Sequence, residues 1–291
     1  EGVPARVGVA LGKTEQFQGN PFDAFYQLLQ SNPLHFPADK NVFGERFFCG
    51  GAVGYWGYDL KDHIESLPSS AKDDLDLPDS YWMFYHGVAV IDHEQGKQYL
   101  VGDSASIEEL EAAIHSDVVY TIDDDFDFKL DPGVSREDYF KKISKIKEHI
   151  AAGDVYEINL SQRFTMDLKN RTAWTDFDIF RSLAEISPSP FSAILMCEDF
   201  SVISSSPERF LKVCDRMCES RPIKGTRPRR NDFHEDEEQF LDLFFSEKDR
   251  AENLMIVDLV RNDLGRVSET GSVEVENIFN IEQYATVFQM V

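Results

Sequence analysis

The apolar residues of this chain change from a helical spacing to a strand-like spacing between residues 150 and 156, and that change most constrains the fold. Four of them share one helical face: Phe140, Ile143, Ile146 and Ile150. Ser135 is placed to cap this helix and Gly153 to end it. From residue 156 to 166, apolar residues alternate with polar ones, which predicts a half-buried strand.

Further helices and strands are predicted on both sides of this change. Asn20 and Pro21 precede a helical apolar stripe, so we predict that a helix begins there. Residues 235–260 predict one or two helices. Aromatic and β-branched runs predict strands at 83–91 and 98–101, which form an antiparallel meander, and at 191–196 and 202–213. Together these elements predict an α+β fold with antiparallel sheets.

The length of the chain predicts two lobes. At 291 residues it lies near the upper limit for one continuous hydrophobic core. An acidic run at residues 123–127, without the spacing of a calcium loop, precedes the turn-forming Asp131-Pro132-Gly133. We interpret this stretch as a solvated linker and predict lobes at residues 1–133 and 134–291.

The charge of the chain excludes several classes of partner. Fifty-three acidic residues against 29 basic ones give a net charge of -24, which repels nucleic acid and anionic membrane surfaces. No apolar run is long enough to span a membrane, and the first twenty residues lack the zones of a secretory signal. The four cysteines lack metal or redox spacing, so we expect reduced thiols in a cytoplasmic enzyme.

A short basic segment stands out from this acidic background. It contains five cations and no acid: Arg221, Lys224, Arg227, Arg229 and Arg230. Such a segment predicts a trap for a small anionic substrate, and Gly225 would let that substrate approach the backbone. Neighbouring cations favour the free-base form of a lysine, which makes Lys224 a candidate nucleophile. A solvated basic loop is the alternative interpretation of the same residues.

Glu208 and Glu252 are the carboxylates best placed for chemistry. Glu208 lies sixteen residues before Lys224, and a β-hairpin between them would bring it close enough to act as general acid or base. An ion pair with Arg209 is the alternative. Glu252 falls on the apolar face of a predicted helix that Gly265 can end, so it needs an arginine or a metal opposite. Magnesium, which takes one or two carboxylates with waters and substrate oxygens, suits this position.

Six segments together resemble the chorismate-utilising enzymes, the family of the anthranilate, aminodeoxychorismate and isochorismate synthase large subunits. The segments, in the family's order, are GGAVGYWGYD (50–59), GDVYEINLSQRF (153–164), SPSPF (187–191), SPERF (206–210), PIKGT (222–226) and IVDLVRND (256–263). The resemblance implies the chorismate-binding fold, in which antiparallel sheets pack together with helices on the outside. It also implies chorismate as substrate and Mg²⁺ as cofactor.

The residue type at position 224 distinguishes two branches of this family. Anthranilate synthases usually carry alanine there, whereas aminodeoxychorismate synthases of this type carry lysine. The resemblance implies that Lys224 attacks C2 of chorismate while Glu208 helps expel the C4 hydroxyl. It further implies that Gly225 and Thr226 bind substrate and that Glu252 holds Mg²⁺. Ammonia from a glutaminase subunit or fused domain then attacks C4, yielding 4-amino-4-deoxychorismate for folate (para-aminobenzoate) synthesis.

Two departures from the family pattern leave alternatives open. Gln289 stands where many relatives have a histidine linked to pyruvate elimination, so we expect no pyruvate release. The family's later segments, with a second acidic metal motif, would lie beyond Val291, and we expect the natural protein to continue on both sides. The alternatives are an anthranilate synthase large subunit and a catalytically incomplete fragment of such an enzyme.

Overall fold

The computed structural model describes residues 8–11, 20–33, 47–68, 72–115, 129–168 and 174–291. The chain forms two compact units, one made of residues 1–119 and 180–291 and the other of residues 120–179. The predicted acidic linker at 123–127 lies outside the described residues. The lobe boundary predicted after Gly133 stays a prediction.

The first sheet of the larger unit is antiparallel and packs against a helix. It contains strands β1 (Gly8–Leu11), β2 (Gly51–Trp56) and β3 (Ser80–Tyr85) in the order β1-β3-β2. Helix α1 (Pro21–Ser31) begins where predicted, because the Asn20 side chain accepts a hydrogen bond from the Phe22 amide. Its Phe25 lies against Trp82 of β3, with 4.2 Å between ring centroids.

A hairpin and a short helix follow this sheet. Strands β4 (Gly87–Asp92) and β5 (Lys97–Gly102) pair antiparallel, and helix α2 (Ser104–Ile114) packs against both. The predicted meander is therefore confirmed in its β4–β5 hairpin. The part of the prediction that placed residues 83–85 in this meander is wrong, because these residues lie in β3, which pairs with β1 and β2. A six-residue 3₁₀-helix (Tyr58–His63) connects β2 to the segment before β3.

The smaller unit confirms one prediction and contradicts another. Helix α3 (Arg136–Ala152) has Ser135 as its N-cap and ends at Gly153, whose φ of 78° is left-handed. Residues 156–166 are all described and form no strand, only a single bridge from Thr165 to Asp131. An alternating segment becomes a strand only when a partner edge pairs with it, and here just one residue pairs. Helix α4 (Asp176–Ile186) follows.

Two hairpins lead to the basic segment. Strand β6 (Phe191–Met196) pairs with β7 (Ser201–Ser206), and β8 (Arg209–Cys214) pairs with β9 (Met217–Arg221). The strand predicted at 202–213 is therefore two strands. Pro207, which has no amide to donate, lies at the break.

The last sheet and two helices enclose a compact core. Strands β10 (Thr226–Pro228), β11 (Ile281–Gln283) and β12 (Val287–Met290) pair in the order β10-β12-β11. Helices α5 (Phe233–Phe245) and α6 (Glu247–Gly265) meet at Ser246, which caps both. Leu243, Phe288 and Met290 are buried together between helix and sheet. The α+β class with antiparallel sheets is confirmed, and no helix in the described ranges is long and apolar enough to cross a membrane.

This core generates a stability prediction with a matched control on α5. Leu243 is fully buried, whereas Leu241 is 42% exposed on the same helix. Leu243→Ala should lower the free energy of unfolding by about 2–5 kcal/mol because it leaves a cavity. Leu241→Ala should change it by about 0.5 kcal/mol or less. Urea denaturation of both variants measures the difference, and equal losses would show that the core is misplaced.

Candidate active site

The loop that carries Lys224 connects β9 to β10 and is held by strand β12. The Lys224 amide donates a hydrogen bond to the Met290 carbonyl at 2.9 Å, and the Met290 amide donates one to the Gly225 carbonyl at 3.1 Å. Lys224 is half-buried. The backbone of the candidate nucleophile is therefore fixed by a strand distant in sequence.

Gly225 has a structural reason to be glycine. Its φ of 82° is left-handed, and a Cβ there would lie 2.9 Å from both Leu243 Cδ1 and Asp249 Cβ. Helices α5 and α6 thus pack closely on this side of the loop. Thr226 begins β10 opposite Gln289, with its side chain exposed. The substrate-binding roles of Gly225 and Thr226 stay predictions.

The structure places Glu208 beside the nucleophile loop, as the predicted hairpin requires. Arg209 and Arg221 pair at the open end of β8 and β9, so the residues that flank these strands meet. Glu208 Oε1 accepts a hydrogen bond from the Ile223 amide at 3.0 Å. The alternative ion pair between Glu208 and Arg209 is not the arrangement formed, because Arg209 binds Glu219. A carboxylate is therefore held one residue from Lys224.

Three of the four arginines near Lys224 are neutralised. Arg221 binds Glu282, and Arg229 binds Asp236 through two nitrogens and lowers the pKa of that carboxyl. Arg227 bridges Asp242 and Asp249. These three arginines are therefore already paired with acids, and the anion trap predicted from all five cations of the segment stays a prediction. The argument that their charge activates Lys224 loses its basis, since acids from α5, α6 and β11 match it.

Asp249 is a buried carboxylate of this site that the sequence analysis missed. It is 5% exposed and accepts hydrogen bonds from Ser246 Oγ at 2.7 Å and from Arg227 Nη2 at 2.9 Å. Burial opposes its ionisation, but these hydrogen bonds and the Arg227 charge outweigh burial and lower its pKa. The capping-box pattern of Ser246 and Asp249 was readable in the sequence; the arginine partner was not.

Glu252 lies half-buried one turn further along α6. Its partner is a lysine of the same helix, because Glu252 Oε2 accepts a hydrogen bond from Lys248 Nζ at 2.8 Å. Across the residues that the structure describes, no group of three or more His, Cys, Asp or Glu could hold a metal by itself. Glu252 offers one accessible carboxylate, which fits a magnesium ion that takes its other ligands from substrate and water.

A pocket of about 270 Å³ adjoins the loop. Its lining includes Pro207, which precedes Glu208, and Ile223, which precedes Lys224. Arg221, Glu282 and Tyr284 form a connected wall, because Glu282 accepts hydrogen bonds from both of the others. Burial, followed by the contact with Glu282, raises the pKa of Tyr284 to about 12, so this hydroxyl stays protonated.

Comparisons with known proteins identify the family of this chain. The family model of chorismate binding enzymes matches residues 5–291. The chain is 38% identical over 246 residues to aminodeoxychorismate synthase component 1 of Escherichia coli (strain K12), covering 84% of this chain and 53% of that protein. It is 34% identical over 290 residues to the protein of the same name from Bacillus subtilis (strain 168), covering 94% and 59%.

Anthranilate synthases are similar too. The chain is 36% identical over 266 residues to anthranilate synthase component 1 of Acetivibrio thermocellus, covering 84% of this chain and 53% of that protein. The crystal structure of anthranilate synthase component I from Streptococcus pneumoniae TIGR4 superposes with a TM-score of 0.76 at 24% identity, over 100% of this chain and 70% of that one. The chain spans somewhat over half the length of the curated relatives it matches. It belongs to the chorismate-binding enzyme family.

Proposed function

We propose that the natural protein aminates chorismate to 4-amino-4-deoxychorismate through a covalent intermediate on Lys224. The observation that carries this proposal is the Glu208 carboxylate, held by the Ile223 amide directly beside the Lys224 loop. A lysine at this position is typical of the aminodeoxychorismate synthases. Relatives of that name, at 34% to 39% identity, support the same choice.

In the first displacement, the unprotonated amine of Lys224 attacks C2 of the chorismate ring. The ring double bonds shift and the C4–oxygen bond breaks. Glu208 gives its proton to the departing hydroxyl, which leaves as water. The hydrogen bond from the Ile223 amide to Glu208 Oε1 holds the acid at the residue next to the nucleophile. The result is a ring attached to Lys224 through its C2 carbon.

In the second displacement, ammonia attacks C4 and the double bonds shift back. The C2–nitrogen bond breaks and Lys224 is released as the free amine. The new ammonium group then gives a proton to the Glu208 carboxylate, which restores the acid for the next cycle. The net reaction converts chorismate and ammonia into 4-amino-4-deoxychorismate and water. Covalent catalysis of this kind divides one difficult substitution into two easier ones.

Magnesium is the cofactor we propose, with Glu252 as one ligand. When bound, the ion supplies positive charge for the carboxylates of chorismate. This role is consistent with the neutralised arginines, because the arginines already bound to acids are not available for that purpose. Glu252 would hold the ion in place of its present contact with Lys248, whose side chain is 80% exposed.

The proposed reaction also requires a source of ammonia. The name "component 1" of the relatives implies a second component, and we propose a glutaminase, as a separate subunit or a fused domain, for this protein. The product then serves para-aminobenzoate and folate synthesis in the cytoplasm.

Anthranilate synthesis is the second candidate function, because relatives of that name reach 36% identity. That reaction releases pyruvate, and many relatives carry a histidine linked to this step where this chain has Gln289. Gln289 is 8% exposed, in the strand that holds the Lys224 loop. An amide cannot take up and release protons as an imidazole does, which favours the first function.

The products distinguish the two functions. The full natural protein, incubated with chorismate, Mg²⁺ and ammonium, should form 4-amino-4-deoxychorismate without pyruvate. Liquid chromatography identifies the aminated product, and a coupled lactate dehydrogenase assay measures pyruvate. Release of pyruvate with anthranilate fluorescence would contradict the proposal and establish the second function.

Replacement of Lys224 tests the nucleophile. Lys224→Ala should lower the turnover rate by about 10³-fold or more because the covalent route is lost. Lys224→Arg should be equally inactive, since a guanidinium stays protonated at neutral pH. The matched control is Lys212→Ala, an exposed lysine of β8, which should keep the wild-type rate. Substantial turnover in either Lys224 variant, with the fold checked by circular dichroism, would remove the covalent role.

Replacement of Glu252 tests the magnesium ligand. Glu252→Gln should raise the half-saturating Mg²⁺ concentration by about tenfold or more, since a neutral amide binds Mg²⁺ more weakly than a carboxylate. Thermal stability should change little, because the lost partner Lys248 forms an exposed pair worth about 0.3–0.5 kcal/mol. Glu247→Gln, exposed in the first turn of the same helix, is the control. An unchanged Mg²⁺ titration would show that the ligand lies elsewhere.

A further inference from the structure

The buried side chain of Asp249 makes contacts that no catalytic step uses. It accepts hydrogen bonds from Ser246 Oγ and from Arg227 Nη2, and its Cβ lies against Gly225. The last contact is tight, because a Cβ on Gly225 would approach Asp249 Cβ to 2.9 Å. Asp249 thus connects helix α6 to the residues on both sides of Thr226.

The Lys224 loop is contacted by strand β12 and by helices α5 and α6. Strand β12 holds one edge of the loop through two backbone hydrogen bonds between Lys224, Gly225 and Met290. Asp249 packs on Gly225, and Leu243 of α5 does the same. Arg227, two residues further along β10, is bound to Asp249. The position of the Lys224 backbone is therefore fixed by strand β12 on one side and by helix α6 on the other.

A purely structural role for Asp249 accounts for only part of this arrangement. Ser246 is the N-cap of α6, and the Asp249 amide donates a hydrogen bond to Ser246 Oγ. An N-cap requires no arginine and no burial. Arg227 already has an exposed carboxylate partner in Asp242. The second, buried partner adds a rigid connection between α6 and β10.

We propose that Asp249 is a positioning residue that, through Arg227 and Gly225, aligns Lys224 for attack on the substrate. This inference rests on the proposed function, because it concerns the same nucleophile. Misplacement of a reacting group by about 1 Å can lower a rate on the order of 10²-fold without a loss of binding. Asp249 should therefore act on the chemical step more than on substrate affinity.

The test compares two carboxylates that bind the same guanidinium. Asp249→Asn removes the buried charge, and Asp242→Asn removes the exposed one. Single-turnover consumption of chorismate, with enzyme in excess and Mg²⁺ present, should be about 10- to 10²-fold slower in Asp249→Asn and unchanged in Asp242→Asn. The KM for chorismate should change by less than about threefold in both. Circular dichroism of each variant measures the folded fraction, and the single-turnover rate measures alignment.

Ser246→Ala separates alignment from helix capping. It removes the capping hydroxyl and leaves the contact between Asp249 and Arg227 in place, so it should lower the melting temperature but keep the single-turnover rate. Equal slowing in Ser246→Ala and Asp249→Asn, or no slowing in Asp249→Asn, would overturn the inference. Arg227→Gln tests the contact from the other side, because a neutral amide removes the charge that binds Asp249; its rate should fall likewise, and a wild-type rate would also overturn the inference.

Failure of the proposed function gives a different result. In that case, wild-type protein and Asp242→Asn would both form no 4-amino-4-deoxychorismate. That outcome would overturn the function and the inference together. Normal product from wild type with normal rates in Asp249→Asn would overturn the inference alone.

Discussion

The pair of backbone hydrogen bonds between Met290 and the Lys224–Gly225 loop is the interaction on which the site depends. These hydrogen bonds join the loop that follows the β8–β9 hairpin to strand β12, which is more than sixty residues away in the sequence. The neighbouring residues Phe288 and Met290 fill the core under α5, so the same strand builds the core and holds the loop. Strand β12 therefore contributes both to the hydrophobic core and to the position of the proposed nucleophile.

Charge explains much of how the site is assembled. The chain carries a large excess of acidic residues. Several of them form ion pairs with the arginines of the basic segment. Arg221, Arg227 and Arg229 each bind carboxylates from β11, α5 or α6, so these ion pairs connect the basic segment to the elements around it. The arginines thus organise the walls of the site. The proposal therefore assigns the charge that binds the substrate to a magnesium ion at Glu252.

Local signals in the sequence were sufficient where the structure they predict is local. Asn20 with Pro21 and Ser135 with Gly153 predicted the ends of α1 and α3, since caps act within one turn. The hairpin that brings Glu208 to the loop was predictable for the same reason. The prediction of a strand at 156–166 was wrong, because a strand forms only when another strand pairs with it, and the sequence of the segment does not show whether one does. The arginine pairs and Asp249 could not be found, because their partners are joined only by the tertiary fold.

The central claim is that Lys224 forms a bond to the substrate ring during turnover. Wild-type protein mixed with chorismate and Mg²⁺ in the absence of ammonia, quenched rapidly and digested, tests this by peptide mass spectrometry. The account predicts that the peptide containing Lys224 gains the mass of chorismate less one water. Turnover with that peptide unmodified throughout, or an adduct on another lysine, would contradict it.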